Sequence, residues 1–161
     1  MALARIASRV LLPIALVLGL ALSTTGPAAA AETEYERVLA TARAQLGDPW
    51  VHYARGPEKF DCVGLAWFVF HENDLQSHIG GYRGVKSYYN WFRERGLAVG
   101  RSGTPELGDL IIWGRFEHIG IYIGDGKAIS ALNPKYGVKI HPVKGWLSMR
   151  VRAYLHTRLS D

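Results

Sequence analysis

The residue with the clearest chemical potential is Cys62, the only cysteine among the 161 residues of the chain. A lone cysteine cannot form an internal disulfide, so its thiol is either a buried, inert group or a nucleophile. Asp61 directly before it is typical of a helix N-cap, which makes Cys62 the first residue of a helix. Free backbone N–H groups and the helix dipole favour an anion there, so the sequence predicts a thiolate with a lowered pKa.

A nucleophilic cysteine needs a base beside it, and the chain contains six histidines. His118 is the best candidate because it begins a predicted strand that carries Ile119, Ile121 and Ile123. A helix-start cysteine paired with a strand histidine is the arrangement of papain-like catalysis. The alternative is a histidine that only fills a structural position. No pair of histidines, and no histidine with the cysteine, shows the spacing of zinc ligands, so no metal site is indicated.

The elements that must position these residues are helices first and strands afterwards. Thr33 and Glu36 form a capping box at the start of the first helix, a second begins at Asp61, and a third covers residues 85–95. Gly124-Asp125-Gly126 is a tight hairpin between two strands. Helices followed by antiparallel strands predict an α+β fold. The predicted strands cover residues 110–113, 118–123, 127–132, 138–140 and 151–155.

Residues 1–31 have the order of a secretory signal peptide. Arg5 and Arg9 precede an apolar stretch, and four alanines over 28–31 end the segment. An uncleaved membrane anchor is the alternative, but the apolar stretch is shorter than the roughly 20 residues that a membrane span needs. We therefore expect residues 32–161 to form one domain that is secreted, extracellular or wall-associated, with no stable membrane insertion after cleavage.

The charge of the chain argues against a nucleic-acid partner. The formal net charge of +5 includes Arg5 and Arg9, so loss of the leader reduces it to 5 minus 2, or +3. The basic residues are scattered and form no long run, which favours only mild attraction to anionic surfaces.

The 130 residues left after removal of 31 from 161 suffice for one core and not for two. We expect a monomer.

Four blocks of sequence follow one another along this domain. They are Gly47-Asp48-Pro49-Trp50, Phe60-Asp61-Cys62-Val63-Gly64-Leu65, Gly108-Asp109-Leu110-Ile111 and His118-Ile119-Gly120-Ile121-Tyr122-Ile123-Gly124. In order and spacing they resemble the NlpC family of cell-wall cysteine peptidases, over essentially the whole chain after the leader. The resemblance implies a papain-like fold, in which N-terminal helices, one of them bearing the nucleophile, pack on an antiparallel sheet.

The same resemblance implies roles for individual residues. Cys62 would be the nucleophile and His118 its base, and no metal or organic cofactor is implied. The family's usual substrates are peptidoglycan stem peptides, typically cut at the bond from γ-D-glutamate to a diamino acid. In relatives, an aspartate matching Asp61 and a serine after the cysteine help hold the free amino end of the peptide. Here Val63 replaces that serine and His52-Tyr53-Ala54 replaces Trp-Gly-Gly, which leaves the peptide preference open.

The third catalytic position of the family is usually a histidine on the strand after the hairpin, and Ser130 matches it in this chain. Ser130 would face the same side of the sheet as His118 and accept its ring N–H. Asn133 is the alternative, a stronger acceptor that lies on the opposite face of a regular strand. The backbone N–H of Cys62, helped by a loop residue such as Tyr53, would stabilise the oxyanion.

The sequence therefore predicts a secreted cysteine peptidase that hydrolyses amide bonds in peptidoglycan peptides or wall fragments. Because a cysteine–histidine pair serves any acyl transfer, a related amidase or acyltransferase is one alternative. A non-catalytic wall-binding module of the same fold is the other, although such a module needs neither Cys62 nor His118.

Overall fold

The computed structural model describes residues 31–146 and 148–161, so the predicted leader, apart from its last residue, lies outside the described residues. Within these residues three α-helices come first: α1 (Glu34–Ala44), α2 (Cys62–His71) and α3 (Val85–Glu94), with a 3₁₀ helix at Gln76–Ile79. No helix in the described residues is both long and apolar enough to cross a membrane. The strands are β1 (Ala98–Gly100), β2 (Leu110–Trp113), β3 (His118–Gly124), β4 (Lys127–Ala131), β5 (Val138–Pro142) and β6 (Val151–Leu155).

Side-chain caps fix where the first two helices begin. The Thr33 hydroxyl accepts a bond from the N–H of Glu36 at 3.3 Å, and the Glu36 carboxylate accepts one from the N–H of Thr33 at 2.9 Å. This is the predicted capping box. Asp61 caps α2, because its Oδ1 accepts a bond from the N–H of Gly64 at 2.6 Å. Cys62 is therefore the first residue of α2, as the sequence predicts.

The strands form one antiparallel sheet in the order β1-β6-β2-β3-β4-β5. The hairpin between β3 and β4 turns at Asp125 and Gly126, whose φ angles of 51° and 66° are typical of a type I′ turn. The predicted α+β fold is confirmed, and each predicted strand agrees with the observed one to within two residues. Strand β1 and the 3₁₀ helix were not predicted, because elements of three and four residues are too short to show a hydrophobic period.

A different buried cluster packs against each face of the sheet. Helix α2 covers one face and shares a core with Ile119, Ile121 and Ile123 of β3. Because side chains alternate along a strand, His118 points to the opposite face. A smaller buried cluster around Trp113 covers that second face. The backbone of His118 thus lies next to α2, and its ring packs against Trp113 at the end of the sheet where β2 stops and β3 begins.

Candidate active site

Cys62 is partly buried at the start of α2, where the helix meets the first residues of β3. Cys62 packs against the core that contains Ile119, the residue after His118, and the backbone N–H of Ile119 favours the anionic form of the sulfur. The N–H groups of Val63 and of Cys62 itself act on the sulfur in the same way. The fold therefore brings the predicted nucleophile to the strand position that carries the predicted base.

The protonation state of Cys62 differs from the expectation. Desolvation by burial raises the pKa of the thiol to about 11, and the neighbouring Asp61 carboxylate adds to the rise. The backbone N–H groups, with that of Ile119 first, act in the opposite direction but do not compensate. The prediction of a lowered pKa is wrong, because burial outweighs the benefit of the helix start.

His118 lies buried against Trp113, with the two ring centroids 5.6 Å apart. Its Nε2 is 2.8 Å from the Oγ of Ser130, and Ser130 is completely buried. The structure therefore brings His118 and Ser130 together on the same side of the sheet, as the hairpin predicts. Gly120 makes room for this contact, since a Cβ there would lie 2.9 Å from the Cβ of Ser130 and 3.2 Å from the Trp113 ring.

A second histidine, His141, continues the contact beyond Ser130. Its Nε2 is 2.7 Å from the Oγ of Ser130, and its Nδ1 is 3.0 Å from the carbonyl oxygen of Pro142. Trp113 lies 5.6 Å from this ring as well, measured between centroids. The sequence pattern did not indicate His141, because the predicted strand ended at residue 140. The missing signal was the register of β5 on β4, which pairs Ser130 with Lys139, two residues before His141 on the same face.

Burial keeps both rings neutral at neutral pH. Desolvation lowers the pKa of His118 to about 4, and the nearby charge of protonated His141 contributes. Desolvation also lowers the pKa of His141, against the opposite effect of its bond to the carbonyl of Pro142. Burial therefore favours a neutral thiol and two neutral imidazoles over a thiolate–imidazolium pair.

Asp61 ties the loop before α2 to the helix. Besides capping Gly64, its carboxylate accepts a bond from the N–H of Tyr53 through Oδ2 at 2.9 Å. A Cβ at Gly64 would overlap the carbonyl oxygen of Ala54, so this close approach requires glycine. The Tyr53 side chain is 75% exposed and its ring stacks on His52 at 3.9 Å between centroids. The loop thus presents exposed aromatic surface beside Cys62.

Asn133, the alternative third residue, lies away from His118. It is exposed, and its side-chain oxygen accepts bonds from the N–H groups of Lys135 and Tyr136 at 3.0 and 3.2 Å. Asn133 therefore shapes its own turn. Of the two predicted third positions, the structure places Ser130 at the His118 ring.

Away from Cys62 and His118, the described residues contain a cluster of potential metal ligands. Ligand atoms of Glu106, Asp109 and His156 come within 4.8 Å of one another there. Internal hydrogen bonds already account for the central carboxylate of Asp109. It accepts from the N–H of Glu106 at 2.8 Å and from the N–H of Thr157 at 3.1 Å, and it lies 2.7 Å from Nδ1 of His156. The cluster is an anchor between chain segments.

Known proteins share both the sequence pattern and the architecture. The NlpC/P60 family model matches residues 47–153, a range that contains Cys62, His118, Ser130 and His141. The probable endopeptidase p60 of Listeria grayi is 32% identical over 114 residues, which are 69% of this chain and 20% of the relative. The probable peptidoglycan endopeptidase LytE of Bacillus subtilis is 28% identical over 113 residues, 62% of this chain and 30% of the relative.

Among solved structures, NlpC1 from Trichomonas vaginalis superposes with a TM-score of 0.64 at 21% identity, over 81% of this chain and 46% of that one. At this identity the likeness concerns the fold, and it confirms the predicted architecture of helices on an antiparallel sheet. This chain spans only 20% to 51% of the length of the curated relatives it matches.

Proposed function

Because this chain belongs to the NlpC/P60 family, we propose that it is a cysteine peptidase that hydrolyses an amide bond in the stem peptides of peptidoglycan. The observation that carries this proposal is the meeting of Cys62, at the start of α2, with the first residues of β3, where Ser130 engages His118. The names of the relatives, an endopeptidase and a peptidoglycan endopeptidase, support the choice of substrate.

The neutral resting pair defines how the reaction begins. As the Cys62 sulfur attacks the carbonyl carbon, Nδ1 of His118 accepts the thiol proton, since Nε2 is engaged by Ser130. The oxyanion of the tetrahedral intermediate is stabilised by the backbone N–H of Cys62, with the Tyr53 loop beside it. The protonated His118 then gives its proton to the leaving amine, and a thioester remains on the sulfur. Water, deprotonated by His118, hydrolyses the thioester and restores the thiol.

The finer substrate preference follows from the residues around Cys62. We expect a bond of the γ-D-glutamyl–diamino acid type, with a weaker requirement for a free amino end than an enzyme with serine at this position. Val63 is almost fully buried and offers no hydroxyl. Both carboxylate oxygens of Asp61 already accept bonds from the N–H groups of Tyr53 and Gly64. Fragments with free and acetylated amino ends should therefore be cut at similar rates.

The direct test is mass spectrometry of wall fragments and intact sacculi after incubation with the purified protein, with Cys62→Ala as the matched control. We expect new amino and carboxyl ends in the stem peptide with the wild type only. If sacculi are bound and no fragment is cut, the protein is a wall-binding module and not a peptidase. If a peptide is transferred to an added amine in preference to water, the protein is an acyltransferase.

We also propose that the protein acts outside the cytoplasm after removal of residues 1–31. The charged start, the apolar stretch and the alanine run support this proposal, and so does the location of peptidoglycan. N-terminal sequencing of the secreted protein should find a chain that begins near Glu32. A protein that stays in the membrane with its first residues intact would contradict export by cleavage.

A further inference from the structure

We infer that His141 is a positioning residue, which acts through Ser130 to hold His118 in the tautomer that can accept the proton of Cys62. This inference rests on the proposed function, because it assigns a purpose to a group that does not touch the reacting atoms. It concerns which nitrogen of His118 carries hydrogen, and the hydrogen bonds of the described residues settle that question link by link.

The first link is the backbone carbonyl of Pro142, which can only accept a hydrogen bond. The His141 nitrogen 3.0 Å from it, Nδ1, must therefore carry a hydrogen. A neutral imidazole has a single N–H, so Nε2 of His141 is bare and can only accept. Ser130 Oγ lies 2.7 Å from that nitrogen, and so it is the Ser130 hydroxyl that donates.

The second link runs from Ser130 to His118. A serine hydroxyl has one hydrogen, and here it is already directed at His141. The oxygen of Ser130 is left with lone pairs only, so it accepts from Nε2–H of His118 at 2.8 Å. A neutral His118 with hydrogen on Nε2 has a bare Nδ1. That bare nitrogen is the base that the reaction with Cys62 requires.

Without His141, nothing would fix the direction of the hydrogen bond between Ser130 and His118. A serine hydroxyl can rotate, and Ser130 alone could donate to Nε2 of His118 as readily as it accepts from it. Donation would stabilise the tautomer with hydrogen on Nδ1, which cannot take a proton from the thiol. The backbone carbonyl of Pro142 removes this ambiguity because its polarity cannot be reversed.

The surroundings keep the chain of bonds intact. His118, Ser130 and His141 are 5%, 0% and 2% exposed, so water does not compete for their polar atoms. Trp113 packs against both rings and closes this side of the site. Burial lowers the pKa of both histidines, which favours the neutral forms that this order of hydrogen bonds requires.

Few charged groups face His141. His118 is the titratable group across Ser130, and Lys139 lies on the same face of β5, with its ammonium 5.7 Å from the Tyr136 ring centroid. In the described residues neither His118 nor His141 forms an ion pair with a carboxylate. During catalysis His118 becomes an imidazolium that still donates from Nε2, so no proton has to move along the chain of bonds and His141 stays neutral.

Two variants of His141 separate this positioning role from a structural one. His141→Phe keeps a buried ring but removes the acceptor, so kcat/KM should fall by about tenfold, as it should when Ser130 itself is replaced by alanine. His141→Gln can still accept from Ser130 and donate to Pro142, and it should recover most of the activity. His71→Phe makes the same change at an exposed histidine at the end of α2 and should leave activity unchanged.

The deciding measurement is the nitrogen chemical shifts of the His118 ring in the protein without substrate, assigned by comparison with His118→Gln. We expect hydrogen on Nε2 in the wild type and in His141→Gln, and a shift towards hydrogen on Nδ1 in His141→Phe. Hydrogen on Nδ1 in the wild type would overturn the inference. So would a His141→Phe protein with unchanged shifts and unchanged kcat/KM.

If His141→Phe fails to fold, Ser130→Ala replaces it, since that change breaks the same link with a smaller loss of volume. The tautomer measurement requires no substrate, so it also stands apart from the proposed function. A protein with the Nε2–H tautomer that cuts no wall fragment would contradict the peptidase activity. If the protein cuts wall peptides but the tautomer of His118 is the same in the wild type, in His141→Phe and in Ser130→Ala, the role of His141 is contradicted.

Discussion

Strand β2 has a buried polar network at each end, and the two networks differ in their chemistry. At its last residue, Trp113 packs against His118 and His141, which Ser130 joins. Just before its first residue, Asp109 accepts bonds from backbone N–H groups and lies 2.7 Å from the ring nitrogen of His156. We call these the serine network and the aspartate network.

The serine network contains only neutral groups at neutral pH, and its hydrogen bonds run in one direction, from His118 through Ser130 and His141 to the carbonyl of Pro142. The aspartate network is built on a carboxylate, and desolvation raises the pKa of Asp109 against the N–H groups and the His156 ring that stabilise its charge. Those partners come from residues 106, 156 and 157, so the carboxylate fastens the end of β6 to the turn before β2. A directional neutral network suits proton transfer, whereas an ionic network with backbone partners suits anchoring. Substitutions in the serine network should therefore affect activity, and substitutions in the aspartate network should affect stability.

The largest expected effect is that of Cys62→Ala beside the serine network. It removes the proposed nucleophile, so kcat/KM on wall fragments should fall by about 10⁴-fold or more. The melting temperature should stay close to that of the wild type, since only one sulfur atom at a partly buried position is lost. Both quantities are measured on the same preparations. Turnover of the Cys62→Ala protein at the wild-type rate would refute the proposed role of Cys62 as the nucleophile.

Asp109→Ala should have the converse effect. It leaves the buried N–H of Thr157 and the neighbouring donors without their acceptor, which we expect to reduce the free energy of unfolding by about 3 kcal/mol or more. Urea denaturation measures this loss, and Asp109→Asn, which keeps one acceptor oxygen, should lose less. Activity per folded molecule should not change. A selective loss of kcat at unchanged stability would erase the contrast between the networks.

The alkylation rate of Cys62 tests whether its surroundings are neutral. With a thiol pKa of about 11, the rate of reaction with iodoacetamide should rise about tenfold for each pH unit between roughly pH 7 and 10. The sign follows from the thiolate being the reactive form, which becomes more abundant as pH rises towards the pKa. A rate that levels off below about pH 8.5, the value of a free thiol, would indicate a preformed thiolate–imidazolium pair.

The smallest expected effect lies just outside the serine network. Asn133→Ala removes an exposed turn cap and should change kcat/KM less than about twofold, with a stability loss within roughly 1 kcal/mol. Ser130→Ala, three residues away, should lower turnover by about tenfold because His118 loses its partner. Steady-state kinetics of the pair provide the comparison. A larger loss in the Asn133 variant would reverse the assignment of the third residue.

The features that could be predicted from the sequence depend on residues close together in the chain. The capping box at Thr33, the N-cap at Asp61 and the turn at Asp125 each require only two to four neighbouring residues. The contact between His118 and Ser130 was also accessible, because a tight hairpin sets the register of the two strands it joins. These local rules are enough to place Cys62 at a helix start and His118 on a strand.

The position of His141 and the ionisation of Cys62 depend on the tertiary structure. His141 reaches Ser130 through the pairing of β5 with β4, whose register is set by a loop without a local signature. The helix start favours a thiolate at Cys62, and that effect is local. Burial of the sulfur against the core is not local, and its desolvation cost is larger, so the protonated thiol is favoured. The sequence alone identified Cys62 and His118 as the candidates for the proposed chemistry, and only the packing around them decided which protonation states burial favours.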